Sequence, residues 1–166
     1  MRALNPRPLT AEAFARYGDV IETRGAPREI NYGHTLNYHD LAALDLSADG
    51  GRAAVSIFRS TPPTYPFAIR VMERHPKSSQ AFIPLSGRPF LVVVAQAGVF
   101  DAGAVEAFVA APGQGVNLRK DVWHHFNLAL HAPSEFLVID RDAADDNTDE
   151  VTLREPLLLH APEPAS

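Results

Sequence analysis

The sequence predicts an all-β protein, an antiparallel barrel or sandwich with one short helix near its N-terminus. Three observations carry that expectation. Fourteen prolines and ten glycines cut the chain into pieces too short for long helices. From Ala53 onward the pattern is one of short apolar runs punctuated by turn residues. These runs follow one another at the close spacing of antiparallel all-β folds. A chain of 166 residues, 46% of them hydrophobic, has the size of one ordinary domain with its own core, so a single domain over 1–166 is expected.

Taken in order, "LTAEAFARYGDVIE" predicts the helix. Thr10 can cap it, Leu9, Phe14 and Tyr17 supply apolar contacts, and Gly18 can end it in the left-handed conformation. Strands are expected in "AAVSIFRS", "PFAIRVMER", "AFIPL", "PFLVVVA", "AVEAFVA", "DVWHHFNLAL" and "EFLVID". The acidic run from Asp140 to Glu150, "DRDAADDNTDE", reads as a solvated loop before a last short strand, "VTLRE". The tail "HAPEPAS" reads as frayed, with His160 a surface residue.

Composition narrows the function classes. Cysteine is absent, which excludes a disulfide framework and a thiolate metal site. The start, "MRALNPRPLT", lacks the apolar stretch of a signal peptide, and the cytoplasm is the expected compartment. No apolar run approaches the roughly 18 residues that suggest a membrane span. A formal charge of -5 offers no general attraction for nucleic acid. The expected partner is therefore a small molecule, with neither nucleic acid nor membrane.

Polar residues in strand-like runs point to a site. Side chains at every second strand position share a face, so Phe67, Ile69, Val71, Glu73 and His75 form one set, with Arg70, Met72 and Arg74 on the mixed opposite face. That phase turns Glu73 and His75 inward near a barrel mouth, where desolvation without partners costs several kcal/mol. Partners are available in each other, in Gln80, in a metal ion or in a ligand. "RKDVWHHFN" adds His124 and His125; alternation groups His124 with Phe126 and Leu128, and His125 with Asn127. Glu73, His75, Gln80 and His124 would suit a borderline divalent ion. The other reading makes the two histidines hydrogen-bonded pocket residues without a metal.

The spacing of Glu73, His75, Gln80 and Gly87 resembles the first motif of the cupin fold, with Glu in place of its first His and Gln in place of its carboxylate. The second motif supplies one more His, for which His124 and His125 are both available and register favours His124. Beyond that pattern, "ERHPKSSQAFIPLSGRPFLVVVA" resembles the ureidoglycolate lyase family. Further matching pieces are "LTAEAFARYGDVIE", "YHDLA", "SIFRSTP", "GQGVNLRKDVWHH" and "FLVIDR", which run in order along nearly the whole chain. Two departures are local: Phe126 stands where relatives often place Pro, and the segment after Arg141 is poor in glycine.

The resemblance implies a cupin-like antiparallel barrel of the jelly-roll type, usually a homodimer. It implies cleavage of ureidoglycolate to glyoxylate and urea in allantoin and purine nitrogen catabolism, an association with nickel, and no organic cofactor. Such cleavage needs a base for the hydroxyl proton, an acid for the departing nitrogen and an anchor for the carboxylate. His75 and His124 can serve as base and acid in either order, and Glu73 can orient an imidazole or take the proton itself. Arg59, Arg119 and Arg141 are candidate anchors because the guanidinium fork matches a carboxylate. Strand parity groups Arg59 with Val55 and Ile57, which favours an inward position, and Arg141 with Leu137 and Ile139. Gln80 is a further substrate contact, and Tyr38 and His39 could reach a neighbouring subunit's pocket. From another class, the alternative is a non-catalytic cupin that binds or senses a small carboxylate. A metal-dependent dioxygenase or isomerase on the same barrel is a third reading, and the Gln80 and Glu73 substitutions weigh against it.

Overall fold

The structure, a computed structural model, describes residues 1–163; Pro164 to Ser166, the end of the tail expected to fray, lie outside the described residues. The chain begins with β1 (Ala3–Leu4), β2 (Arg7–Pro8), α1 (Ala11–Phe14), β3 (Gly18–Ile21), β4 (Arg28–Ile30) and β5 (Thr35–Asn37). Its central strands are β6 (Arg52–Ser60), β7 (Phe67–Arg74), β8 (Gln80–Pro84), β9 (Phe90–Ala95) and β10 (Glu106–Ala110). It ends with β11 (Gly115–Leu118), β12 (Trp123–His124), β13 (Leu128–Ala129), β14 (Ser134–Asp142) and β15 (Asp149–Leu159).

Two sheets face each other as a curled half-barrel. One runs β1-β15-β7-β12-β9-β10-β2, with β13 also against β9, and the other runs β3-β11-β8-β14-β6. The expected all-β class holds, and most pairings are antiparallel. Two short parallel pairings, β1 with β15 and β2 with β10, tie the N-terminal residues to the first sheet. Among the described residues, strands β4 and β5 pair only with each other.

Strand β9, "FLVVVA", shows how the core is divided. All six residues are buried, and alternation sends Val92 and Val94 between the sheets while Leu91, Val93 and Ala95 enter a second apolar cluster. Phe82, Phe108, Val116, Leu118, Phe136 and Val138 fill the space between the sheets. Ile69, Met72, Trp123, Leu157 and Leu159 build the second cluster with the other face of β9. Each such side chain contributes about 1.5–3 kcal/mol when fully buried. Met72 is fully buried in the second cluster, and Ile69, which alternation groups with Glu73, is buried there beside it, so the face expected to run from Phe67 through Ile69 and Val71 to Glu73 and His75 is not continuous along β7.

Several expected elements change in detail. The helix is a single turn: Thr10 Oγ1 accepts from the Ala13 N–H at 3.1 Å, but Gly18 opens β3 instead of closing the helix. A Cβ at Gly18, whose φ is +153°, would lie 1.8 Å from the Asn117 carbonyl oxygen, so close approach is what requires glycine there. "DVWHHFNLAL" yields two two-residue strands in place of one long strand. The last strand has 11 residues, with a register shift between Thr152 and Leu157. His160 is tied down as well, its N–H donating to the Leu4 carbonyl at 3.0 Å.

Candidate active site

Three strands deliver the polar cluster that the first sequence pattern singled out. Glu73 lies near the end of β7 opposite His124 of β12, which in turn pairs with Val94 of β9. The Val94 side chain enters the core between the sheets, so Glu73 and His124 face the barrel interior. Their neighbours Arg74 and Trp123 turn the other way, where the Arg74 guanidinium sits 4.6 Å above the indole ring. His75 follows at the strand end, and its carbonyl accepts from the Asp121 N–H at 3.0 Å. Gln80 opens β8 after a turn that Asp45 fixes through both its N–H and its carbonyl to Ser79.

The ligand atoms of Glu73, His75 and His124 all lie within 4.8 Å of one another. His124 is 2% exposed, and its Nδ1 meets the Val122 carbonyl at 3.0 Å. A carbonyl can only accept, so Nδ1 carries a proton there and the lone pair of the neutral ring sits on Nε2. That Nε2 is buried without a hydrogen-bond partner among the described residues; the nearest carboxylate oxygen, Glu73 Oε1, is 3.6 Å away. When the ring is protonated, His124 holds the Glu73 carboxyl below the usual carboxylate range, first by donating to it and then by its charge, against the opposing effect of the carboxyl's burial.

His75 repeats the pattern. Its Nδ1 faces the Asn147 carbonyl at 2.9 Å and so donates, while Nε2 lies 3.2 Å from Gln80 Oε1. Gln80 must present that oxygen because its Nε2 donates to Asp140 Oδ2 at 3.3 Å. Two acceptors therefore face each other whenever the imidazole is neutral. Glu73, His75 Nε2, Gln80 Oε1 and His124 Nε2 form a surplus of lone pairs that a cation satisfies: a proton on His75 or a divalent ion among all four. The donor set, with its orphaned buried nitrogen, fits such an ion.

Beside the cluster is a cavity of about 150 Å³ lined by His75, Ser78, Gln80, Asp140, Arg141, Asn147 and Thr148. Its outer wall is the acidic segment that the sequence reading treated as a solvated loop. Asn147 organises that wall: its carbonyl fixes His75, its Oδ1 accepts from the Lys77 N–H at 2.7 Å, and its Nδ2 donates to Ser78 Oγ at 2.8 Å. Asp145 takes both outer nitrogens of Arg141, at 2.9 and 3.0 Å, and also pairs with Lys77. Arg141 first and Lys77 second keep its carboxyl well below the ordinary range. The Arg141 side chain is 1% exposed and its Nε donates to the Ala48 carbonyl at 3.0 Å. Gly51 makes room for it, since a Cβ there would lie 2.3 Å from that Nε.

The structure brings together Glu73, His75, Gln80 and His124, with Arg141 at the adjoining cavity. His125 stands apart from the cluster. It packs edge-on against Phe67 with centroids 5.7 Å apart, and burial pushes its pKa down to about 4. Arg59 corrects the parity argument: its strand, β6, is a sheet edge whose Val55, Ile57 and Arg59 face outward, and Arg59 pairs with Glu135 at 2.6 Å. Arg119 is exposed and donates to the Ala15 carbonyl at 3.3 Å, beside the helix and away from the cluster. Tyr38 and His39 follow the β4–β5 hairpin, with His39 exposed, and line none of this cavity. Sequence reasoning missed Asp140 and Asn147. The signal for Asp140 was present, because Phe136, Val138 and Asp140 repeat the apolar, apolar, acidic alternation that marked Glu73.

No helix among the described residues is long and apolar enough to cross a membrane. Among solved structures, one titled for a reaction specificity switch in oxalate decarboxylase is a distant likeness, with a TM-score of 0.42 and 17% identity over 66% of this chain and 27% of that one. Among curated relatives, a ureidoglycolate lyase of Burkholderia mallei (strain NCTC 10229) is 50% identical over 160 residues, 96% of this chain and 94% of the relative. Another, of Brucella melitensis biotype 2 (strain ATCC 23457), is 51% identical over 155 residues, 90% of this chain and 89% of the relative. A third, of Rhizobium leguminosarum bv. trifolii (strain WSM2304), is 45% identical over 160 residues, 96% of each chain. The family model described as ureidoglycolate lyase matches residues 1–160, a span that takes in every polar group of the cluster and its cavity. With that match, and with the histidines, carboxylate and carboxamide of the resemblance gathered at one barrel mouth, the chain belongs to the ureidoglycolate lyase family.

Proposed function

We propose that this chain cleaves ureidoglycolate to glyoxylate and urea, and that the surplus of lone pairs at Glu73, His75, Gln80 and His124 is where it does so. The observation that carries the reading is the buried Nε2 of His124, a base without a partner among the described residues, beside a second imidazole whose ring centroid is 5.0 Å away. The substrate carbon bears a carboxylate, a hydroxyl, a hydrogen and the ureido nitrogen. His124 Nε2 takes the hydroxyl proton and the C–O bond becomes a carbonyl as the C–N bond breaks. The electron pair of that bond goes to the ureido nitrogen, which takes a proton from Nε2 of protonated His75, so that urea leaves neutral. Glu73 steadies the imidazolium formed at His124, and Gln80 and the Asn147 carbonyl hold His75 in place.

Of the three arginines weighed as carboxylate anchors, Arg141 alone lines the cavity, and Asp145 already fills its fork. The positive charge left to face the substrate carboxylate is therefore that of the cluster. A divalent ion, nickel as the resemblance implies, would be held by Glu73, His75, Gln80 and His124 in place of the proton, with both imidazoles then ligands instead of base and acid, and would supply Lewis acidity that lowers the pKa of the hydroxyl. The ion and the proton on His75 answer the same surplus of acceptors. The finer reading includes the cytoplasm, allantoin catabolism and a homodimer. The exposed Val55 and Ile57 on edge strand β6 and the fully exposed Tyr32 between β4 and β5 support the dimer. In such a dimer Tyr38 and His39 would reach the partner's pocket.

The test is release of urea and glyoxylate from ureidoglycolate by the purified protein, before and after thorough chelation and again with nickel restored. Turnover that survives chelation assigns the cluster to proton transfer. Turnover that is lost and returns with nickel makes the four residues ligands. Absence of turnover under every condition favours the carboxylate binder.

A further inference from the structure

The cavity beside the cluster is built to accept hydrogen bonds, and this decides which end of a two-ended substrate it suits. Its one buried cation is already paired: each nitrogen of the Arg141 guanidinium gives one N–H away, two to Asp145 and one to the Ala48 carbonyl, and Asp145 balances its charge. Asp140 is different. One of its oxygens accepts from Gln80 Nε2 at 3.3 Å, and the other makes no hydrogen bond among the described residues. Asp140 is positioned on β14 by the same alternation that buries Phe136 and Val138 between the sheets, so it closes the polar end of that face. With Thr148 it lines the cavity directly next to His75.

A carboxylate entering this space would meet Asp140 on the cavity lining, while the charge of Arg141 there is already balanced by Asp145, a repulsive arrangement. A ureido group brings the opposite chemistry: neutral, with three N–H donors and one carbonyl. We infer that Asp140 is a specificity-determining residue that accepts the N–H groups of the substrate's ureido end, while the carboxylate end lies toward the His75 and His124 imidazoles, where the positive charge of the cluster is. This rests on the ureidoglycolate reading and adds an orientation to it. That orientation places the ureido nitrogen on the His75 side, where the mechanism needs its proton. Replacing Asp140 by Asn would keep the size and still let an amide oxygen accept from Gln80, but would then turn an N–H₂ donor toward the donors of the ligand.

The experiment compares two unreactive anions as competitive inhibitors of ureidoglycolate cleavage: ureidoacetate, which keeps the ureido end and lacks the hydroxyl, and glycolate, which lacks the ureido end. In Asp140→Asn, ureidoacetate inhibition weakens about 10-fold or more, while glycolate inhibition is unchanged or tightens because a negative charge has been removed. Parallel weakening of both inhibitors means that Asp140 acts only by orienting Gln80, and overturns the inference. No change in either overturns it too. Should Asp140→Asn fail to fold, Thr148→Val gives the same split to a smaller degree, and equal effects on the two inhibitors there overturn the assignment of this cavity. A wild-type protein without turnover sinks the ureidoglycolate reading itself, whereas an active wild type with no inhibitor split sinks only the orientation.

Discussion

His75 Nε2 and Gln80 Oε1 stand 3.2 Å apart as two facing acceptors, because Nδ1 of the imidazole is used on the Asn147 carbonyl and the Gln80 amide nitrogen on Asp140. A cation relieves that conflict, and a formal charge on Gln80 would sharpen it. Gln80→Glu is therefore expected to bind nickel about 10-fold more tightly than wild type, as a carboxylate is a better ligand than a carboxamide. The same change sets a carboxylate against Asp140 and lowers the stability of the metal-free protein by about 1–2 kcal/mol. Titration calorimetry and denaturant melts read both. Equal nickel affinity in the two proteins would remove Gln80 from the ligand set.

Asn147 acts on His75 from the loop. Asn147→Ala keeps the backbone carbonyl but loses the bonds to the Lys77 N–H and to Ser78 Oγ, at 2.7 and 2.8 Å. A loss of about 1–3 kcal/mol of stability follows from two part-buried hydrogen bonds. A fall in kcat of about 10-fold accompanies it, as the His75 ring loses its fixed orientation. Unchanged kcat with lowered stability would make Asn147 a loop brace only.

Gly51 and Arg141 are a steric pair. In Gly51→Ala the new methyl group would lie 2.3 Å from Arg141 Nε and 2.5 Å from the Leu46 carbonyl oxygen, so the side chain or the backbone must shift. Overpacking of this kind costs about 1–3 kcal/mol. The expected result is a lower Tm together with weaker substrate binding, because the displaced Arg141 no longer anchors Asp145 across the cavity wall. A variant with wild-type Tm and KM would show that the wall yields freely.

Tyr65 gives a pH dependence away from the site. Its hydroxyl donates to the Ala129 carbonyl at 2.9 Å, and burial pushes its pKa up to about 12 from 10.0. The folded state thus holds the phenol proton after the unfolded chain has begun to release it. Stability from this group is fully present below pH 10 and is lost as the pH rises toward 12. Solvent screening at the half-buried phenol keeps the loss to a fraction of what full burial would give. Tyr65→Phe should flatten the decline across that window in melts at fixed salt. An identical slope in both proteins would contradict the assignment.

The legible parts of the fold are those with strong periodicity. "PFLVVVA" and "AAVSIFRS" become β9 and β6 with little adjustment, since a long apolar or alternating run has few other ways to be buried. Four-residue β3 and β11 were not visible because Gly18, Asp19, Gly115 and Asn117 read as turn chemistry until their partners are known. At the site, Glu73 and His124 could be found because an acid or an imidazole breaks an apolar alternation. Arg59 could not be placed by the same rule: alternation says which residues share a face, and only the sheet order says that this face is outside. Asn147 was hidden for another reason. An acidic, polar run carries no local mark of being folded over a cavity, and its contacts lie about seventy positions away in "HPKS".

The most direct test of the account is kcat/KM for ureidoglycolate in His75→Ala and His124→Ala, each first shown to be folded by circular dichroism and a cooperative melt. The account predicts a loss of about 100-fold or more in both, since each imidazole handles a proton or the cation that replaces it. Turnover within about threefold of wild type in either folded variant would contradict it and move the chemistry away from this cluster.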